Sequence, residues 1–104
     1  MIVVTSSEIA GKKTKQSFGM VSGSTIRARH LGKDIIAGLK NLVGGEIEEY
    51  TKLMAEAREQ SIDRMKAQAK ELGANAVVDC RFTSNYLQQG ASEVLIFGTA
   101  VLVE

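Results

Sequence analysis

Three side chains in this sequence have the chemistry of a metal ligand or a nucleophile, namely His30, Asp79 and Cys80. The 104 residues include a single cysteine and a single histidine. A structural zinc site takes four ligands, mostly from Cys and His. One chain therefore lacks a full ligand set, and a strong metal site would have to collect copies of His30 and Cys80 from several symmetric subunits.

Cys80 lies in the segment AVVDCRFTS, residues 76–84, whose composition predicts a strand. Strict alternation places Ala76, Val78, Cys80 and Phe82 on one face, and Val77, Asp79, Arg81 and Thr83 on the other. Because Cys80 falls in the apolar row, we expect a buried thiol with a raised pKa, which is a poor nucleophile. Asp79 and Arg81 share the polar face, where we expect them to form a solvated or interfacial ion pair.

Recognised catalytic motifs are absent from the sequence. It contains no G-x-S-x-G, C-x-x-C, H-E-x-x-H, P-loop or G-x-G-x-x-G pattern. The neighbouring carboxylates Glu48 and Glu49, and Glu56 and Glu59, fall on the polar side of a predicted helix, where such groups are usually solvated. We therefore expect a protein without enzymatic activity.

Basic residues are concentrated between positions 9 and 33, where no acidic residue occurs. A solvated surface is one interpretation, and a surface that binds an anion or a nucleic acid is the other. Phe18 is the one aromatic residue in this stretch, so base stacking has little support and a nucleic acid is not the expected partner. The cations are Lys12, Lys13, Lys15, Arg27, Arg29 and Lys33.

The hydrophobic pattern predicts four strands and two helices. The strands cover residues 2–5, 15–29, 76–84 and 93–103, and the helices cover 33–45 and 46–72. Gly44 and Gly45 end the first helix. Gly19 and Gly23 lie inside the second strand, where glycine marks a bulge, a bend or the close approach of another backbone.

Element lengths point to contacts between subunits. A helix over 46–72 is roughly 40 Å long, whereas a compact domain of this size has a radius of gyration of ~13 Å. The last strand is apolar on both faces, with Val94, Ile96, Ala100 and Leu102 on one side and Leu95, Phe97, Val101 and Val103 on the other. We expect the helix to extend beyond its own domain and a neighbouring copy to cover part of this strand.

Several motifs are shared with one family: GMVSGS, LVGGE, AREQSIDRM, ELGANAVV and EVLIFGTAVLVE. In their sequence and order, over nearly the whole chain, the protein resembles the YbjQ-type family of small bacterial and archaeal proteins, commonly labelled a heavy-metal-binding domain. The resemblance implies one domain over 1–104 and a two-layer α+β subunit of β-β-α-α-β-β order with a dodecin-like architecture. It also implies a closed homo-oligomeric ring, most simply a homopentamer.

These features favour a ring-forming binding and assembly protein whose ligand lies at a subunit interface or in a central channel. Close backbone approach in the assembly is expected at Gly19, Gly23, Gly44, Gly45 and Gly98. Two alternatives remain: a protein that binds a soft divalent heavy metal, and a protein that binds an anion or a nucleic acid through the basic segment 12–33. No signal peptide or membrane-spanning run is apparent, and we expect a cytoplasmic location.

Overall fold

The computed structural model describes residues 1–28, 45–88 and 91–104 of an α+β protein. The predicted first helix, with Arg29, His30, Lys33 and Gly44, lies outside the described residues. The described elements follow the order β-β-α-β-β. They are β1 (Ile2–Val3), β2 (Thr14–Ala28), α1 (Gly45–Glu71), β3 (Ala76–Gln88) and β4 (Ala91–Val103).

The four strands form one sheet in the order β1-β3-β4-β2. β1 runs parallel to β3, and β4 pairs antiparallel with both β3 and β2. The predicted loop over 85–92 is mostly strand, since Tyr86 pairs with Ser92 and Gln88 pairs with Ala91. Cross-strand contacts such as that from Asn85 Nδ2 to Glu93 Oε1, at 3.3 Å, outweigh the polar composition that suggested a loop.

Helix α1 begins and ends within one residue of its predicted bounds, but its buried stripe differs from the prediction. The fully buried positions are spaced four residues apart: Ala57, Ser61, Met65 and Ala69. The apolar spacing of the sequence predicts a stripe that includes Ala57, Met65, Ala69 and Leu72 but not Ser61. In the structure Ser61 is fully buried, and Leu72 is 45% exposed. Three of the four fully buried residues are small, which lets the helix pass very close to β2.

Gly23 of β2 is where the helix comes closest to the sheet. A Cβ atom at this position would collide with the main-chain oxygen of Ser61 and would lie 2.6 Å from the main-chain nitrogen of Met65. The Ser61 hydroxyl lies 3.0 Å from Thr25 Oγ1 and 3.1 Å from the Val94 carbonyl oxygen. A buried hydroxyl with such partners avoids the cost of an unmet hydrogen bond and joins α1 to both β2 and β4.

Polar side chains along one flank of α1 show how the helix runs over the sheet. Gln68 accepts a hydrogen bond from the Ser22 main-chain N–H at 2.8 Å, and Gln60 accepts one from Arg27 Nη2 at 2.9 Å. The helix is therefore antiparallel to β2. Gln60 lies beside Arg27, and β2 ends one residue later at Ala28. The part of the helix before Gln60, residues 45–59, is about 22 Å long and therefore extends towards and past the end of β2.

The two faces of the sheet are covered unequally. Helix α1 covers the first face, where Val21, Val77, Ile96 and Ala100 join Met65 and Ala69 in the core. On the opposite face, which we call the outer face, the N-terminal segment packs Val4 and Ile9 against Ala76, Val78, Val101 and Val103. This cover reaches one end of the sheet, whereas further along β4 Leu95 and Phe97 remain partly exposed. Among the described residues, no helix is long and apolar enough to cross a membrane.

Candidate functional site

A β-bulge in β3 surrounds the candidate residues Asp79 and Cys80. The register with β4 shifts between Val78 and Arg81, and Asp79 has a left-handed backbone with φ of +54°. An extra residue changes the phase of side-chain alternation. The predicted grouping of Cys80 with Ala76 and Val78 is therefore wrong, because Cys80 packs with Val77 on the helix-covered face.

The N-terminal segment is hydrogen-bonded to this bulge. The Asp79 N–H donates to the Ser6 carbonyl at 3.0 Å, and the Cys80 N–H donates to the Val4 carbonyl at 3.1 Å. The Ser7 hydroxyl donates to Asp79 Oδ1 at 2.9 Å. The carboxylate of Asp79 thus helps to hold the segment that covers the outer face.

Arg81 also binds the N-terminal segment and does not form an ion pair with Asp79. Its Nη1 donates to the Thr5 carbonyl at 2.9 Å and to the Cys80 carbonyl at 2.8 Å. The predicted ion pair between Asp79 and Arg81 is wrong, because each side chain has a closer partner in the chain that crosses the bulge. Both charged groups have structural partners at the bulge.

Cys80 is a core residue, as expected. Its side chain is 3% exposed, and its Sγ lies 3.7 Å from the Val77 carbonyl oxygen. Burial raises the pKa of the Cys80 thiol, and this outweighs the opposing influences of a Val4 main-chain hydrogen bond and the Arg81 charge. The thiolate needed for nucleophilic attack or metal binding is therefore disfavoured.

The three candidate metal ligands do not converge in what the structure describes. Cys80 faces the core, Asp79 faces Ser7, and His30 lies outside the described residues. Within residues 1–28, 45–88 and 91–104, no three His, Cys, Asp or Glu side chains form a group that could hold a metal ion.

Gly23 and Gly98 both allow close approach within the subunit. Gly23 faces α1, as described above. A Cβ at Gly98 would lie 2.7 Å from Val77 Cγ1 and 2.9 Å from Cys80 Sγ, so this glycine makes room for the bulge. Their expected part in assembly remains a prediction.

Gly19 and Gly45 have different surroundings. Gly19 has φ of +95° beside a register shift in β2, a backbone that favours glycine, and no atom lies within 4 Å of where its Cβ would be. Gly45 is the first residue of α1. Gly44 is outside the described residues.

The described basic residues do not form one patch. Lys12 and Lys13 are exposed at the start of β2, where Lys15 Nζ lies 3.8 Å from Glu104 Oε2. Arg27 lies twelve residues beyond Lys15 on the same strand, roughly 40 Å away. Because Arg27 also turns towards Gln60 of the helix, the described cations do not form a continuous surface for an anion.

Two pairs of exposed apolar side chains were not identified from the sequence. Phe82 is 46% exposed and Tyr86 is 73% exposed on β3, while Met20 is 76% exposed and Ile26 is 59% exposed on β2. Strict alternation predicts that Phe82 shares the apolar row of Cys80, and the predicted strand bounds put Tyr86 in the loop over 85–92. The spacing of the aromatic pair, four residues apart, would have placed both on one face had the strand been extended.

Comparisons with known proteins agree over the full length of the chain. The family model described as "Putative heavy-metal-binding" matches residues 1–104. A UPF0145 protein of Dehalococcoides mccartyi is 54% identical over 104 residues and is covered completely, as is this chain. A UPF0145 protein of Methanosarcina acetivorans is 50% identical, with 99% of this chain and 97% of the relative covered.

A solved structure shares the fold. It is a protein of unknown function from the DUF74 family of Pediococcus pentosaceus, with a TM-score of 0.67 over 100% of this chain and 98% of the other. At 16% identity this similarity concerns the fold alone. The resemblance drawn from the sequence motifs is confirmed, and the chain belongs to the YbjQ-type UPF0145 family.

Proposed function

We propose that this protein is a non-enzymatic, cytoplasmic binding and assembly protein that forms a closed ring, most simply of five copies. Its ligand would bind at a subunit interface or in the central channel. The observation that carries the proposal is the shape of the subunit, which leaves more surface unburied than a compact monomer of this size.

The subunit is elongated, with principal extents of 54 × 22 × 17 Å. Its radius of gyration is 17.1 Å, against ~13 Å for a compact chain of this length. Its accessible surface is 7041 Å² for 11.2 kDa, against roughly 5,700 Å² for a typical monomer. An excess of ~1,300 Å² is of the size that contacts between subunits bury.

Two features of the described residues leave surface for contact with another copy. The N-terminal part of α1 extends beyond the end of β2, and the outer face of the sheet is covered at one end by Val4 and Ile9 but not along its whole length. A ring of copies would cover both regions without a second kind of chain.

The absence of catalysis is proposed because the chemistry-bearing side chains at the bulge already have structural partners. Asp79 is bound to Ser7, Arg81 is bound to main-chain carbonyls, and Cys80 is buried. A catalytic group must instead present an accessible atom to its substrate.

Native mass spectrometry of the untagged protein, purified from cells, tests the proposal directly. The expected result is a closed assembly, with five copies as the leading expectation, carrying a stoichiometric additional mass that identifies the class of ligand. A monomer at all concentrations from 1 to 100 µM, roughly the range in which weak to strong interfaces assemble, would overturn it.

A second candidate, binding of a soft divalent heavy metal, is favoured by the description of the matching family model. Because Cys80 is buried, donors would have to come from His30 copies or from carboxylates at subunit interfaces. The experiment is zinc or cadmium titration of wild type, His30→Ala and Cys80→Ala, read by native mass spectrometry. We expect His30→Ala to lose the metal and Cys80→Ala to retain it; the reverse result, or no binding to wild type, contradicts this candidate.

A further inference from the structure

We infer that successive copies of this chain overlap at the two sides of their sheets. The part of β3 beyond Val77, which β1 does not pair, packs in one copy against the outer face of β2 of the next. The inference rests on the proposed ring and names the surface that forms it. The contact would be head-to-tail, so that every copy uses both edges once.

The first half of this contact is the β3 patch, defined as Phe82 and Tyr86. Phe82 pairs with Ile96, a core residue beneath the helix, so both aromatic side chains lie on the helix-covered face. Helix α1, however, lies over β2 and β4. Its flank that carries Gln60 and Gln68 reaches β2, and no described element covers the part of β3 beyond Cys80, where Tyr86 is 73% exposed.

The second half is the β2 patch, defined as Met20 and Ile26. Val21, Gly23 and Thr25 all face the helix, so the alternating positions 20 and 26 face the other way, onto the outer face. Met20 is 76% exposed and Ile26 is 59% exposed. These are large exposed fractions for apolar side chains in a strand.

The two patches are placed so that identical copies can bury both. β3 and β2 lie on opposite sides of β4, and the patches lie on opposite faces of the sheet. When the β2 side of one copy slides under the β3 side of the next, the outer face of the first meets the helix-covered face of the second. Repetition of this heterologous contact gives a ring if the rotation closes.

Area supports a second copy as the occupant. A standard interface buries roughly 800 Å² on each partner, and each copy in a head-to-tail ring has two such contacts. The accessible surface in excess of a compact monomer, ~1,300 Å², is close to that need. A single isologous contact would use one of the two patches and leave the other in water.

Packing of faces fits the β2 edge better than pairing of strands. Two outward main-chain groups of β2 are already occupied, since the Ser22 N–H donates to Gln68 and the Ser24 carbonyl accepts from Arg64. An added strand would have to displace these bonds. The side chains of the β2 patch remain free to pack without such a cost.

The test uses one variant for each patch. Phe82→Glu/Tyr86→Glu disables the β3 patch, Met20→Glu/Ile26→Glu disables the β2 patch, and Leu72→Glu is the control, since Leu72 is 45% exposed outside both patches. Circular dichroism checks that each variant folds. Native mass spectrometry then counts copies in each variant alone and in a 1:1 mixture of the two double variants.

The expected result is that each double variant alone is monomeric while Leu72→Glu assembles like wild type. The mixture forms a heterodimer, because one intact patch from each variant completes a single contact. Assembly of either double variant alone, or a mixture without heterodimer, overturns the overlap. If wild type still forms rings in that case, the proposed function stands. A monomeric wild type overturns both. If a double variant fails to fold, Tyr86→Cys is combined in turn with Met20→Cys and with Ile26→Cys in a Cys80→Ala chain. At least one of the two must give a disulfide between subunits, and its absence from both overturns the overlap.

Discussion

Two regions of the sheet differ in how completely the described residues of one chain cover them. At the end that carries Ala76 and Val101, helix α1 covers one face and Val4 and Ile9 cover the other. Elsewhere in the described part of the sheet, Phe82 and Tyr86 of β3 lie uncovered beside the helix, and Met20 and Ile26 of β2 lie uncovered on the outer face. The first region is finished within a single subunit, whereas the second has the apolar exposure of an unfilled interface.

The difference also appears in side-chain size. Where α1 meets the sheet, small residues such as Ala57, Ser61 and Gly23 bring the backbones together. In the β2 and β3 patches the exposed residues are large. Buried small residues serve close packing inside a chain, while large exposed ones supply the area from which an interface gains its free energy.

The largest effect is expected from Gly23→Val, which breaks the covered region. The new side chain would overlap the main chain of Ser61 and approach that of Met65, neither of which can rotate away. We expect a loss of at least about 4 kcal/mol in the free energy of unfolding, measured by urea denaturation. Gly19→Ala is the control, with a loss of about 1–2 kcal/mol from its left-handed backbone alone. A wild-type midpoint for Gly23→Val would contradict the close helix contact.

Substituting one methionine in each region sharpens the comparison. Met65 is fully buried and Met20 is 76% exposed. We expect Met65→Ala to lower the free energy of unfolding by about 2–5 kcal/mol at every protein concentration. For Met20→Ala we expect a free energy of unfolding within about 0.5 kcal/mol of wild type in dilute protein. The difference should grow as the protein concentration rises, because assembly then stabilises wild type more than the variant. Chemical denaturation at several concentrations separates the two, and a concentration-independent Met20 effect would contradict the contrast.

Asp79 tests the bulge that joins the N-terminal cover to β3. Valine is strained at φ of +54° and cannot replace the hydrogen bond from Ser7. We expect Asp79→Val to lose about 1–3 kcal/mol. For Asp79→Gly we expect a free energy of unfolding within about 1 kcal/mol of wild type. Glycine relieves the backbone strain, and this gain offsets both the loss of the Ser7 hydrogen bond and the greater conformational freedom of the unfolded chain. Equal losses in thermal or urea unfolding would show that backbone strain is unimportant here.

The smallest effect is a pH dependence from Cys80. Its folded-state pKa is raised above the ordinary 9.0 by burial. The folded protein therefore holds the thiol proton more tightly than the unfolded chain. The resulting stability is fully present below pH 9.0 and is lost as pH rises through the folded-state pKa. Wild type should lose stability above that pH more steeply than Cys80→Ala in urea titrations, and parallel curves would contradict a buried thiol.

Much of the secondary structure could be predicted because its signals are local. The bounds of α1 agree to within one residue, and the alternation in β4 correctly separates Ile96 and Ala100 from Val101 and Val103. Glycine, apolar spacing and helix-end charges act over a few residues, so they can be read without a partner.

The arrangement around the candidate residues could not be predicted in the same way. The bulge at Asp79 depends on hydrogen bonds to Ser6 and Val4, which are more than seventy residues away in sequence. That bulge reverses the face on which Cys80 lies and replaces the expected ion pair with contacts from Arg81 to the N-terminal segment. Strict alternation fails because a single inserted residue changes the phase of the strand.

The sequence by itself determined an aliphatic α+β domain, the long helix, the membership of the YbjQ-type family and the buried state of Cys80. Tertiary structure alone decided that Gly23 serves the subunit's own helix, that Val4 and Ile9 cover one end of the outer face, and that Phe82 and Met20 remain exposed. The reason is that propensity and periodicity specify which residues turn away from water, while the pairing order β1-β3-β4-β2 specifies what is available to cover them.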